Sequence, residues 1–270
     1  WVPAILAIMG SAMIFFGIKN NPSEVGLPSV HEMDNKKAEV KVNTGEKMSE
    51  EIEKRVSNRC LKEMVLANPV IWIISIADFF VYIIRFTILD WGSTILVQFK
   101  GMDTALAATT IGVMEMVGGI AGMLLAGWIT DRFFKGRAHR TSALFTLFAT
   151  ICLLLFWIAP KSSVVLSIGL IVLSAFFIYG PQALIGIAPS NQATKRVAAS
   201  ANGMAGIFGY ASTTVSGLMF GSLASSFGWN SVFEVAIVFG IIGIILLALI
   251  WKAPANGYAK AEPLLDELKA

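Results

Sequence analysis

Charge is scarce in this sequence: Asp, Glu, Lys and Arg make up 14% of its 270 residues, where a soluble domain carries about a quarter. That shortage excludes most soluble classes. Cysteine is nearly absent. Cys60 and Cys152 form no CxxC pair and no disulfide framework, and both read as free thiols. Histidine is as rare. His31 and His139 do not stand beside Cys, Asp or Glu at metal-ligand spacing, so no metal site and no cofactor is expected. No HExxH, GxSxG or Walker sequence is present, and an enzyme is not expected. The net charge of +3 is too small to suggest a nucleic-acid partner. The chain opens on Trp1 with neither a start methionine nor a basic n-region and cleavage site, so further N-terminal sequence is expected to precede it.

What is present is apolar: 56% of residues, with a mean hydropathy of +0.70. Windows long enough to cross a hydrocarbon core of ~30 Å occur at 1–18, 70–97, 105–129, 142–159, 163–188, 201–226 and 231–251. The expectation is an all-α membrane protein of about seven transmembrane helices, with the lipid bilayer as solvent. Segment 19–68 holds nine basic and nine acidic residues and must lie in water. Within it Met48, Ile52, Val56, Cys60 and Met64 recur every fourth residue, which predicts an amphipathic helix. Asn68 and Pro69 supply an N-cap and a first-turn proline for the next span. The division expected is therefore a helix at 1–18, a central loop at 19–68, six helices over 69–251 and a tail at 252–270.

Loop charge predicts the orientation. If 19–68 is cytoplasmic, alternation puts 130–140, 189–199 and the tail on the same side, and this set holds 18 of the 21 Lys and Arg. Lys100 and Lys161 fall outside and Arg85 within a span. The positive-inside rule favours that arrangement, with a cytoplasmic C-terminus.

Several residues are out of place in a bilayer. Arg85 stands sixteen residues after Pro69, hence ~24 Å along the helix, near mid-membrane. An unpaired Arg at that depth costs at least ~2.5–3.5 kcal/mol. Asp78, Tyr82 and Arg85 are spaced i, i+4, i+7 and share one helix face. Two readings follow: an anion-binding Arg85, or an Arg85–Asp78 ion pair that locks helices. Asp90 lies off that stripe near the outer end, Glu115 lies inside the next span, and Glu234 starts the last. Gly118, Gly119, Gly122, Ala126 and Gly127 form a small-residue run suited to close helix packing. Tyr179-Gly180-Pro181 is expected to interrupt the fifth span, because proline removes a backbone hydrogen bond.

The segment Gly127-Trp128-Ile129-Thr130-Asp131-Arg132-Phe133-Phe134-Lys135-Gly136-Arg137 resembles the G-x-x-x-D-[RK]-x-x-x-G-[RK] signature of the major facilitator superfamily. Physically, Asp131 can pair with basic residues such as Arg132 and Arg137 and with a helix end, as a charge latch. Residues 80–91, Phe-Val-Tyr-Ile-Ile-Arg-Phe-Thr-Ile-Leu-Asp-Trp, resemble the seventh helix of the organophosphate:phosphate antiporter family of bacterial glycerol-3-phosphate and hexose-phosphate transporters. Ile178 to Pro181, Leu184 to Gly186 and Gly206 to Tyr210 are similar to its tenth and eleventh helices, and Val25 to Pro28 to its central loop.

The resemblance implies a major facilitator fold in which 1–18 is the sixth helix and 69–251 the C-terminal six. It implies that Arg85 is one of two arginines holding a phosphate, its mate in the N-terminal half, with Tyr82, Tyr179 and Tyr210 around the cavity and Asp90 as an outer acid. Where that family carries Asn, this chain has Asp78. The implied function is exchange of an organic phosphate for inorganic phosphate across a bacterial inner membrane. Two alternatives stay open: a sugar-phosphate sensor signalling to a membrane kinase, and a proton-coupled symporter using Asp78 and Glu115.

Overall fold

The computed structural model describes residues 2–17, 57–193 and 197–257, in two separate units that divide after Met48. In the first, α1 spans Val2–Gly17. In the second, a π-helical turn at Leu61–Leu66 leads into α2 (Pro69–Leu89), followed by the short α3 (Gly92–Gln98). Next come α4 (Thr104–Val113), a π turn at Met114–Gly118 and α5 (Gly119–Phe134), then α6 (Ala138–Ile158), α7 (Val164–Gln192), α8 (Ala198–Phe227) and α9 (Trp229–Leu249). There is no strand among the described residues. Of the expected amphipathic helix, Met48, Ile52 and Val56 lie outside the described residues; Cys60 and Met64 are buried.

Among the described residues five helical runs are long and apolar enough to cross a membrane: Pro69–Leu89, Thr104–Phe134, Ala138–Ile158, Val164–Gln192 and Trp229–Leu249. Helix α8 has the length, 30 residues, but its Ala, Gly, Ser and Thr content makes it less apolar. In α1 the apolar stretch Ala4–Gly17 is shorter. Two sequence expectations are corrected. The window 70–97 is not one helix: α2 ends at Leu89, and α3 begins at Gly92, where a Cβ would meet the Ile111 side chain at 2.7 Å. Nor does Pro181 interrupt its span, because α7 runs unbroken through both Pro181 and Pro189. A freed carbonyl is tolerated inside a bundle when neighbouring helices enclose it, and Phe145 and Ala126 press against Gly180 closely enough to leave no room for a Cβ.

Helix α2 is central, packing against α7, α8 and α9, while α6 packs on α7 and α9 and α5 on α7. Ile74, Val81, Ile84 and Ile88 bury its apolar faces completely or nearly so. The side chains of Phe156, Phe220 and Phe233 fill the space towards α6, α8 and α9. Asn68 caps α2 as expected, its side chain accepting from the Val70 N–H at 3.0 Å, with Pro69 in the first turn.

The two ends of the bundle are tied differently. At the Trp91 end, indole N–H groups lock loops together: Trp229 Nε1 donates to Gln98 Oε1 (3.1 Å) and Trp157 Nε1 to Asn230 Oδ1 (3.0 Å). Lys100, in the loop after α3, is buried there. Its Nζ donates to the Ala159 carbonyl at 2.7 Å and lies over the Phe99 and Phe156 rings. Burial, with Lys161 nearby, lowers its pKa from the ordinary lysine value. At the Asn68 end, the residues after α9 fold back over α6 and α7. Arg140 Nε donates to the Trp251 carbonyl (2.8 Å), Gln192 Nε2 to the Pro254 carbonyl (2.7 Å) and the Gly257 N–H to the Asn191 carbonyl (2.9 Å).

The small-residue run does bring helices together. A Cβ on Gly122 would stand 2.1 Å from the Phe176 carbonyl oxygen of α7, whereas Gly127 faces open space. Gly122→Ala should therefore force α5 off α7 at about 1–3 kcal/mol, lowering the thermal midpoint in detergent by roughly 2–10 °C. Gly127→Ala should leave the midpoint unchanged or raise it, and equal losses from the two variants would contradict this packing.

Candidate functional site

The polar stripe of α2 is where the sequence places it, but its members are held apart. At ~1.5 Å per residue, Asp78 and Arg85 are separated by ~10 Å along the axis. No ion pair joins them among the described residues. Instead Arg85 Nε donates to Gln182 Oε1 of α7 at 2.6 Å, and the guanidinium lies 5.5 Å from the Tyr82 ring centroid and 5.0 Å from that of Phe86. Among the described residues the two Nη groups of Arg85 donate no hydrogen bond, so the outer fork of the guanidinium is free for an anion. Helix α7 thus fixes the arginine by its inner nitrogen while aromatic faces support its plane.

Asp78 is only 5% exposed. Its Oδ2 presses against Gly209 of α8, where a Cβ would stand 2.6 Å away, and its Oδ1 is buried without a hydrogen-bond partner. Beside it lies a cavity of about 760 Å³ between α2, α7 and α8, walled by Asp78, Tyr82, Gly186, Asn202, Gly206 and Tyr210. Small residues of α8 make the room: Ala199, Gly203 and Ala205 also line the space.

Not every residue singled out in the sequence converges here. Asp78, Tyr82 and Tyr210 do, whereas Arg85 does not line the cavity. Tyr179 is buried at the α5–α7 contact, its ring 3.4 Å from where a Cβ on Gly119 would be, and does not line this cavity. Glu115 is exposed on the π turn, and Asp90 is exposed just past α2. Gln182 and Asn202 were not foreseen. Both are uncharged polar residues inside long apolar windows, a signal weaker than charge but of the same kind.

The signature loop between α5 and α6 has a clear mechanical basis. Lys135 and Gly136 both adopt positive φ, 51° and 77°, and both N–H groups bond the Thr130 carbonyl. Thr130 and Thr141 are joined through their hydroxyls at 2.7 Å, tying the two helix ends. Asp131 and Arg132 are exposed and Arg137 half-buried. Among the described residues Asp131 forms no ion pair, so the expected pairing across its own loop is not made. The turn is closed by backbone and hydroxyl bonds instead. No group of three or more His, Cys, Asp or Glu suited to a metal occurs among the described residues.

Comparison with known proteins agrees with this architecture. The chain is 32% identical over 251 residues to the glycerol-3-phosphate transporter of Bacillus subtilis, covering 93% of this chain and 55% of that protein. It is 30% identical over 257 residues to a probable hexose phosphate transport protein of Chlamydia pneumoniae, covering 94% and 56%. It is also 30% identical over 248 residues to the membrane sensor protein UhpC of Salmonella typhimurium, covering 91% and 54%. The chain thus spans about half the length of the curated relatives it matches. A crystal structure of the peptide transporter POT shares the fold, with a TM-score of 0.56 at 15% identity over 68% of this chain and 39% of that one. The family model of the Major Facilitator Superfamily matches residues 1–217, and the chain belongs to that superfamily of membrane transporters.

Proposed function

We propose that this chain is the C-terminal part of a secondary transporter that exchanges an organic phosphate for inorganic phosphate, and that Arg85 is its phosphate ligand in this half. The observation that carries the reading is the Arg85 guanidinium, which Gln182 holds through Nε alone and which, among the described residues, forms no ion pair. A planar fork matches two phosphate oxygens, and a low-dielectric surround strengthens the attraction. The same surround disfavours an unpaired cation. An empty site therefore resists the conformational change, and a site filled by either phosphate species permits it, which is the logic of exchange. Alternating access follows from rocking of this half against the N-terminal half around the midplane site, in a bacterial inner membrane with the tail on the cytoplasmic side.

A second reading is a sensor that binds the same ligand and signals to a membrane kinase, favoured by the similarity to a membrane sensor protein. Counterflow separates the two: proteoliposomes holding the whole protein should accumulate labelled phosphate against unlabelled phosphate or sugar phosphate inside, and a sensor gives ligand binding without counterflow. A proton-coupled symporter would instead be driven by a pH gradient alone.

Arg85→Lys keeps the charge and loses the fork. A charge-assisted hydrogen bond contributes about 1.5–3 kcal/mol, so phosphate exchange should fall roughly 10- to 150-fold at matched protein level. Exchange near the unmodified rate would remove Arg85 from the site.

Asp131→Asn removes the exposed charge beside the signature turn without touching the Thr130 and Thr141 bond. With its pairing partner proposed to lie across the moving interface, turnover should slow several-fold while equilibrium phosphate affinity stays within a few-fold. Lost affinity with unchanged turnover would contradict that role.

A further inference from the structure

Resting on the phosphate-exchange reading, we infer that Asp78, with Asn202 and the Tyr82 and Tyr210 phenols, forms a subsite for hydroxyl groups on the organic part of the substrate. The cavity, at about 760 Å³, holds far more than an inorganic phosphate. Asp78 closes it from α2 with a carboxylate whose Oδ1 is buried and unpartnered. A buried carboxyl oxygen left unsatisfied is costly, whether the group is ionised and acceptor-only or protonated and able to donate one proton as well. Arg85 does not satisfy it, being held on Gln182 two helical turns away. A group entering the cavity that both donates and accepts can supply the missing partner.

The surrounding groups decide which donor. Asn202 presents an NH2 and a carbonyl, and each tyrosine an O–H that both donates and accepts. Hydroxyl groups complement this set, since each gives a proton to Asp78 and keeps lone pairs for the amide and phenol protons. An ammonium has no lone pair and would leave those donors unmatched. Arg85 does not itself line the cavity, but Tyr82 does and lies beneath its guanidinium, so an ester whose phosphate sits on Arg85 would reach the cavity past Tyr82. Gly209 is part of the device, because any side chain there would displace the Asp78 carboxylate.

A site built to bond substrate hydroxyls rejects analogues that lack them far more strongly than an apolar pocket does. The test uses the whole transporter in proteoliposomes, with labelled inorganic phosphate exchange inhibited by glycerol phosphate, propyl phosphate or phosphoethanolamine. The unmodified protein should require at least about tenfold more propyl phosphate than glycerol phosphate for half-inhibition. Asp78→Leu should reduce that ratio to within about threefold. Gly209→Ala, which keeps the carboxylate but pushes it aside, should reduce the ratio too. Equal potency of the two esters on the unmodified protein overturns the inference, as does an undiminished ratio in either variant. Tightest inhibition by phosphoethanolamine overturns it in favour of an ammonium subsite. If no phosphate species exchanges or binds at all, the phosphate-transport reading itself fails, an outcome distinct from loss of discrimination among phosphates that do bind. The ester comparison needs no variant, so a poorly folding Asp78→Leu does not shield the inference.

Discussion

The organising constraint is that an apolar medium does not screen charge, so an arginine and an aspartate on one face of α2 must each be provided for locally. Helix geometry keeps them apart along the axis, and the bundle resolves each differently. Arg85 is braced from α7 by a neutral amide and from its own helix by aromatic faces. Asp78 is wedged against an α8 glycine. Had the two side chains met, the stripe would have been a closed ion pair with nothing left to offer a ligand. Kept apart, they leave a guanidinium outside any ion pair among the described residues and a buried carboxyl with one unpartnered oxygen. Helix α7 supplies the support for Arg85 and α8 the surface against which Asp78 rests.

That arrangement depends on small residues more than on large ones. Between α5 and α7 the backbones touch at Gly122 and Phe176; between α2 and α8 the carboxylate occupies space that a methyl group at Gly209 would take. In lipid there is little hydrophobic gain from helix association, and close van der Waals approach replaces it. The same economy opens the cavity, because a helix face of Gly and Ala can seal against one neighbour and stand back from the next.

Much of the fold was legible in the residues. Asn68 and Pro69 marked the start of α2, hydropathy marked four further spans, and the seven-residue separation of Asp78 and Arg85 marked the shared face. The break at Asp90 and Trp91 was not legible, because the apolar run continues across it and the turn depends on Ile111 packing where Gly92 has no side chain. The burial of Lys100 depends on a carbonyl 59 residues away, and the partner of Arg85 on an amide 97 residues away. Pairings of that range carry no local signature. Tyr179 shows the complementary limit: a tyrosine in the right helix can face its packing neighbour as readily as a cavity, and only the rotation of α7 distinguishes the two.

The fold-back of Trp251, Pro254 and Gly257 over α6 and α7 has a mechanical meaning for the whole half. Three hydrogen bonds from separate points join the end of α6, the end of α7 and the stretch leaving α9, while Thr130 and Thr141 clasp α5 to α6. Four helices are thereby stapled at one rim, and the opposite rim is stapled by the indole bonds of Trp157 and Trp229. A body bound at both rims behaves as a lever rather than as a sheaf of independent rods. Sliding one of these helices past its neighbours then requires bonds to break at one rim or the other, so the bundle resists internal shear.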